Sequence, residues 1–194
     1  MDNPQRELTT MEYAILGLLD IEPQTGYAII RTLDGTTYQW SASAGAVYPA
    51  LRRLEKSGLI HGSIDATRAM RPRKTYHLTP LGESLLGVWL TAPLTDNELW
   101  NEREIPLIKF LFAERRLSTS EILAWLDGYE RQLTAYQEVH NYWLNAQLSV
   151  SSTHQQLLVQ ATQMELEKQH NWIRLARRRL MAERYATAPT LAMA

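Results

Sequence analysis

The residues best suited to chemistry in this chain are cations. Arg68, Arg71, Arg73 and Lys74 fall within one seven-residue stretch. Residues 41–80 hold seven Lys or Arg against two Asp or Glu, whereas residues 1–40 hold two against six, in a chain whose net charge is −1. A concentrated basic segment inside a near-neutral chain is the footprint of a local polyanion site. Catalytic patterns are missing by contrast. There is no Gly-x-Ser-x-Gly, no His-Glu-x-x-His and no phosphate-cradling glycine loop. Glu167 and His170 have the Glu-x-x-His spacing of half a carboxylate di-iron site, but only one copy is present, so the pair reads as a solvated helix face. The absence of cysteine removes disulfides, thiolate metal ligands and thiol nucleophiles. The expectation is a chain that is not an enzyme, with no catalytic residue, no metal site and no cofactor.

Short helices must position those cations. Thr9 followed by Glu12 is a capping box, and Ala14, Ile15, Leu18 and Leu19 then share one helical face. Glu22-Pro23 ends that helix. A second should run from about Thr25 to Leu33, burying Tyr27, Ile30 and Leu33, and stop at Asp34-Gly35. After a turn containing Tyr38 and Trp40, Ser43 is placed to cap a third helix that closes at Lys56-Ser57-Gly58. Pro49 inside it removes one backbone donor. Two strand-like runs, Leu59–Ile64 and Lys74–Leu78, flank a basic hairpin tip from Asp65 to Arg73. Leu51, Leu54, Leu59, Ile60, Tyr76 and Leu78 read as core. Thr79-Pro80 opens a fourth helix. Three helices followed by a hairpin with a basic tip is the order of a winged helix.

The pattern breaks around Pro93, which sets the expected boundary: residues 1–92 a DNA-binding domain, 93–184 a helical dimerisation and effector domain, 185–194 a disordered tail. A shorter helix around Ile105–Glu114 precedes a second start signal at Ser118-Thr119-Ser120-Glu121. Ile122, Leu126, Tyr129, Leu133, Tyr136, His140 and Trp143 then alternate spacings of four and three, and Val159, Thr162, Leu166, Gln169, Ile173, Ala176 and Leu180 do so after a break at Ser149–Thr153. Two such helices read as a hairpin that pairs with a second copy, with Leu126, Leu133, Trp143, Leu166, Ile173 and Leu180 at the dimer contact. The aromatic content of this half suggests a small-molecule effector, with Tyr136, His140, Trp143, His154 and Trp172 as its candidate contacts. The polar Met1–Arg6 and the lack of a long apolar run predict a cytoplasmic protein with no membrane partner. The fold expected is mainly α with a small β-hairpin, an N-terminal winged helix-turn-helix followed by a C-terminal helical dimerisation domain.

Leu16-Gly17-Leu18-Leu19, Pro23, Gly26-Tyr27, Ser43, Gly45, Tyr48-Pro49-Ala50-Leu51, Leu54-Glu55, Gly58-Leu59, Arg71-Pro72-Arg73-Lys74, Tyr76, Leu78-Thr79 and Gly82 together resemble the PadR family of regulators. Lys109-Phe110-Leu111-Phe112 and the two long helices resemble, more loosely, the virulence-activator-like α domain of its longer members. The resemblance implies a homodimeric repressor, often released from DNA by a small ligand, phenolic acids in the founding members.

In such a fold the third helix enters the major groove by its N-terminal end. Ser43, Ala44, Gly45, Ala46 and Tyr48 would then face bases and phosphates, Arg52 would reach the backbone, and Arg68, Arg71, Arg73 and Lys74 would line the wing. Ala46 stands where many relatives carry a hydroxyl, which removes one polar contact and offers a methyl to thymine instead. Pairing of two copies would select an inverted repeat in double-stranded DNA. The alternative reading is a winged-helix protein-interaction module that does not bind DNA.

Overall fold

The computed structural model describes residues 7–35, 43–65, 73–148 and 152–187, the side chains of residues 65, 140, 142–148 and 184–187 excepted. The chain is mainly helical, with one small antiparallel sheet, and divides into two compact units. Among the described residues no helix is long and apolar enough to cross a membrane.

Helix α1 (Thr10–Ile21) starts where the capping box predicts. Thr9 Oγ1 accepts from the Glu12 amide at 3.3 Å, and the Glu12 carboxylate accepts from the Thr9 amide at 2.8 Å. Its apolar surface is wider than one face: Leu16 and Gly17 are buried along with Ala14, Ile15, Leu18 and Leu19. Extended backbone at Glu22 then ends the helix, and Gln24–Thr25 forms a two-residue strand, β1.

Helix α2 (Gly26–Gly35) buries Gly26, Ile29 and Leu33. Tyr27, expected in the core, is 67% exposed. With Ile29 and Leu33 four residues apart on the inner face, Tyr27 lies two residues, about 200°, round the helix from Ile29 and points outward. Helix α3 (Ala44–Lys56) turns Val47, Ala50, Leu51 and Leu54 inward. Ser43 occupies its N-cap position in extended backbone, but the hydroxyl makes no capping bond. At its far end Gly58 has φ 70°, the left-handed conformation that glycine adopts without steric cost.

Strands β2 (Ile60–Asp65) and β3 (Arg73–Leu78) pair from Ile60–Leu78 to Asp65–Arg73, and β1 adds to the other edge of β3, giving the order β1-β3-β2. Three strands replace the expected two, because two residues are too few for any alternation to show in the sequence. Helix α4 (Pro80–Thr91) follows, with Thr79 Oγ1 accepting from the Gly82 amide at 3.1 Å.

Helices α5 (Asp96–Trp100) and α6 (Ile105–Ala113) belong to this first unit, which comprises residues 1–92 and 96–116. The boundary expected at residue 93 is therefore crossed. Helix α6 packs against α1 and α4, and a β-carbon on Gly17 would run into the Phe112 ring. One ion pair and one cation–π contact strengthen the attachment. Arg116 holds the Asp20 carboxylate, its Nε at 2.9 Å, and Lys109, 1% exposed, sits 3.2 Å from Glu98 and 5.0 Å from the centroid of Trp89. Tyr13 also stacks on Trp89, with ring centroids 4.3 Å apart.

The second unit contains helices α7 (Thr119–Leu148) and α8 (Thr153–Thr187). Each begins with reciprocal capping, Ser118 with Glu121 and Ser152 with Gln155. Helix α8 continues past the expected tail boundary at 185 as far as Thr187, and residues 188–194 lie outside the described residues.

Candidate nucleic-acid interface

The surface predicted to read DNA is carried by α3 and by the start of β3. Because Val47, Ala50, Leu51 and Leu54 anchor one side of α3, the other side is presented outward. Ser43, Ala44, Gly45, Ala46 and Arg52 are exposed, and Tyr48 is 39% exposed. Gly45, Tyr48 and Arg52 follow one another at spacings of three and four and so share a face. Small residues at the start of that face leave the helix backbone open to close approach.

Neighbouring charges are only partly available. Lys74, expected to touch phosphate, lies 2.7 Å from the Glu55 carboxylate and 5.2 Å from the centroid of Tyr76. The hydrogen bond to Glu55 raises its pKa above the usual lysine value, so it is a committed cation. Glu55 also accepts from the Gly62 amide at 3.1 Å, which ties the end of α3 to β2. Arg73, its strand neighbour, is exposed. Arg68 and Arg71 lie outside the described residues.

Arg53, on α3 beside Arg52, has a different task from the one its charge suggests. Its Nε donates to Glu12 at 2.7 Å. The Glu12 side chain is fully buried, so the capping carboxylate of α1 is neutralised by a guanidinium from α3. Sequence reading caught the cap and missed the ion pair, since nothing local links residues 41 positions apart.

A cleft of about 400 Å³ opens beside this surface, lined by Thr25, Gly26, Tyr27, Tyr48, Arg73, Lys74 and Tyr76. Tyr76 is buried, and that burial raises its pKa.

The residues assigned to dimerisation are placed differently from expectation. Leu126, Leu133, Leu166 and Ile173 are all buried within the single chain. Tyr129, between the first two, donates its hydroxyl to Gln169 at 3.2 Å, and Gln169 sits between the last two. The two heptad stripes thus face each other across the α7–α8 hairpin. Leu180 is half-buried, and the side chain of Trp143 lies outside the described residues. Arg177 reinforces the hairpin with Asp127 at 2.6 Å and Glu130 at 2.7 Å. The apolar side chains left outside include Val139 on α7 and Leu157, Leu158, Met164, Leu175 and Met181 on α8.

The candidate effector side chains that are described do not converge on one site. Tyr136 and Trp172 are half-buried, but His154 is exposed at the start of α8, five helical turns from Trp172, about 27 Å at 1.5 Å per residue. The side chain of His140, like that of Trp143, lies outside the described residues. Glu167 is exposed, and His170 faces Glu130 at 3.9 Å. Among the described residues no three His, Asp or Glu side chains gather as a metal site would require.

The segment that carries this surface is similar to known proteins. Residues 15–88 match the model of the transcriptional regulator PadR-like family. The negative transcriptional regulator PadR of Bacillus subtilis (strain 168) is 33% identical over 84 residues, 43% of this chain and 46% of that protein. The match thus spans less than half of the relative's length. Among solved structures, a PadR-like transcription factor from Bacteroides fragilis is 31% identical, covering 50% of this chain and 85% of that one, with a TM-score of 0.38. Bacillus subtilis PadR in complex with operator DNA is 23% identical, covering 91% and 99%, with a TM-score of 0.43. The matched segment runs from α1 through most of α4 and takes in α3 and the whole sheet. Residues 15–88 of the chain are thus a domain of the transcriptional regulator PadR-like family.

Proposed function

We propose that this chain is a homodimeric, sequence-specific DNA-binding repressor. The observation that carries the reading is the presentation of α3: within a PadR-like domain, its small-residue start and the Gly45–Tyr48–Arg52 face are open, beside the exposed Arg73. A helix so presented fits the major groove, with base edges meeting Gly45, Ala46 and Tyr48. Arg52 and Arg73, with Arg68 and Arg71 as the contacts expected from the sequence, supply phosphate contacts that set position without reading sequence. The complex of a relative with operator DNA supports the same assignment.

The dimer contact in this reading is the outer apolar row of α8, Leu157, Met164 and Leu175, with Val139 of α7, because the inner stripes are already filled. Pairing would set two recognition helices about 34 Å apart, one turn of DNA, and so select an inverted repeat. Release by a small ligand belongs to the same proposal, and half-buried Tyr136 and Trp172 are the aromatic candidates for it.

Footprinting on DNA from upstream of the chain's own gene tests the proposal. Protection of two half-sites one helical turn apart is expected; uniform weak binding without a protected site would contradict sequence-specific recognition.

A further inference from the structure

We propose that the cleft beside α3 seats one backbone phosphate of duplex DNA, with Tyr27 as a contact residue alongside Tyr48 and Arg73. The inference rests on the DNA-binding reading and adds to it a residue that sequence reasoning placed in the core.

Tyr27 is 67% exposed, an unusual position for so large an aromatic side chain at the start of a helix that otherwise buries Gly26, Ile29 and Leu33. It lines the same cleft as Tyr48 of the recognition helix and Arg73 of β3. Among the described residues no partner engages either phenolic hydroxyl, and no acidic side chain is paired with Arg73. The second cation of the cleft, Lys74, is neutralised by Glu55 at 2.7 Å. One uncompensated positive charge with two hydroxyl donors suits one singly charged phosphodiester. A volume of about 400 Å³ gives that group room together with a flanking sugar. The recognition helix forms one wall, so DNA docked on α3 would bring its backbone past this opening.

Phosphate contacts carry no sequence information, so a random-sequence duplex is a sufficient probe. Wild type, Tyr27→Phe and Arg73→Ala are compared by fluorescence anisotropy between about 50 and 200 mM salt. Tyr27→Phe is expected to weaken binding about fivefold to tenfold at every salt concentration, because it deletes a hydrogen-bond donor and no charge. Its salt slope stays at the wild-type value, whereas Arg73→Ala lowers the slope by about 0.9, one phosphate's worth of counterions. Thermal midpoints of wild type and Tyr27→Phe should coincide, since the deleted hydroxyl is free. Equal affinities of wild type and Tyr27→Phe would overturn the Tyr27 contact and leave the DNA-binding reading intact. A Tyr27→Phe slope that falls with that of Arg73→Ala would also overturn it. Failure of the wild type to bind any duplex would overturn the DNA-binding reading itself.

Discussion

The ring of Tyr48 rests on the backbone of Gly26, so close that a β-carbon at residue 26 would stand 2.7 Å from Tyr48 Cε1. Helices α2 and α3 are thereby set at a distance only glycine permits. Gly26→Ala should push Tyr48 outward at a cost of about 1–3 kcal/mol, the usual range for overpacking. Urea denaturation would show a lowered midpoint. An unchanged midpoint would mean that the Tyr48 ring moves freely and does not brace the two helices.

Glu12 and Arg53 make a second prediction. Arg53→Ala removes a guanidinium that lies 2.7 Å from a fully buried carboxylate. Breaking a wholly buried pair costs roughly 3–5 kcal/mol, and the half-exposed guanidinium reduces the expectation to about 2 kcal/mol. In a Glu12→Gln background, where the amide still accepts the Thr9 bond, the same Arg53→Ala change should cost much less. A double-mutant cycle checks it, and additive losses would show that the two side chains do not interact.

These two contacts mark where sequence reading succeeds and where it stops. Caps are local, so Thr9–Glu12, Ser118–Glu121 and Thr79-Pro80 are legible as helix starts. The anchoring side of α3 is legible from the spacing of Leu51 and Leu54. Tyr27 was misplaced because its fate depends on where α2 begins, and Gly26 gives no periodic signal. A heptad stripe such as Leu126-Tyr129-Leu133 states that a partner helix exists but not whether it belongs to the same chain. Likewise the apolar run at α6 does not say which unit it joins; the Phe112 ring against Gly17 decides that.

Lys109 gives a pH prediction. Burial lowers its pKa below the ordinary 10.5, with Glu98 opposing that shift in part. The folded state then releases this proton at lower pH than the unfolded chain does, so protonation of Lys109 costs stability at neutral pH. That cost disappears as pH rises from the folded-state value towards about 10.5. Urea midpoints of wild type minus those of Lys109→Met should therefore climb across that alkaline window. A difference that is flat with pH would show that Lys109 titrates alike in both states.

The two faces of the C-terminal hairpin should respond differently to substitution. Leu133→Ala empties a fully buried position and should cost about 2–5 kcal/mol of stability. Met164→Glu, on the exposed row, should leave the helix content intact while abolishing the proposed self-association in analytical ultracentrifugation. A stable Met164→Glu dimer would place the subunit contact elsewhere.

The most direct test of the DNA-binding account is the affinity of the purified protein for DNA from upstream of its own gene, measured against salt. Tight binding at one inverted repeat is predicted, with log K falling linearly in log salt by about 0.9 for each phosphate neutralised. Absence of binding even at low salt would contradict the account and point to a winged-helix module whose partner is another protein.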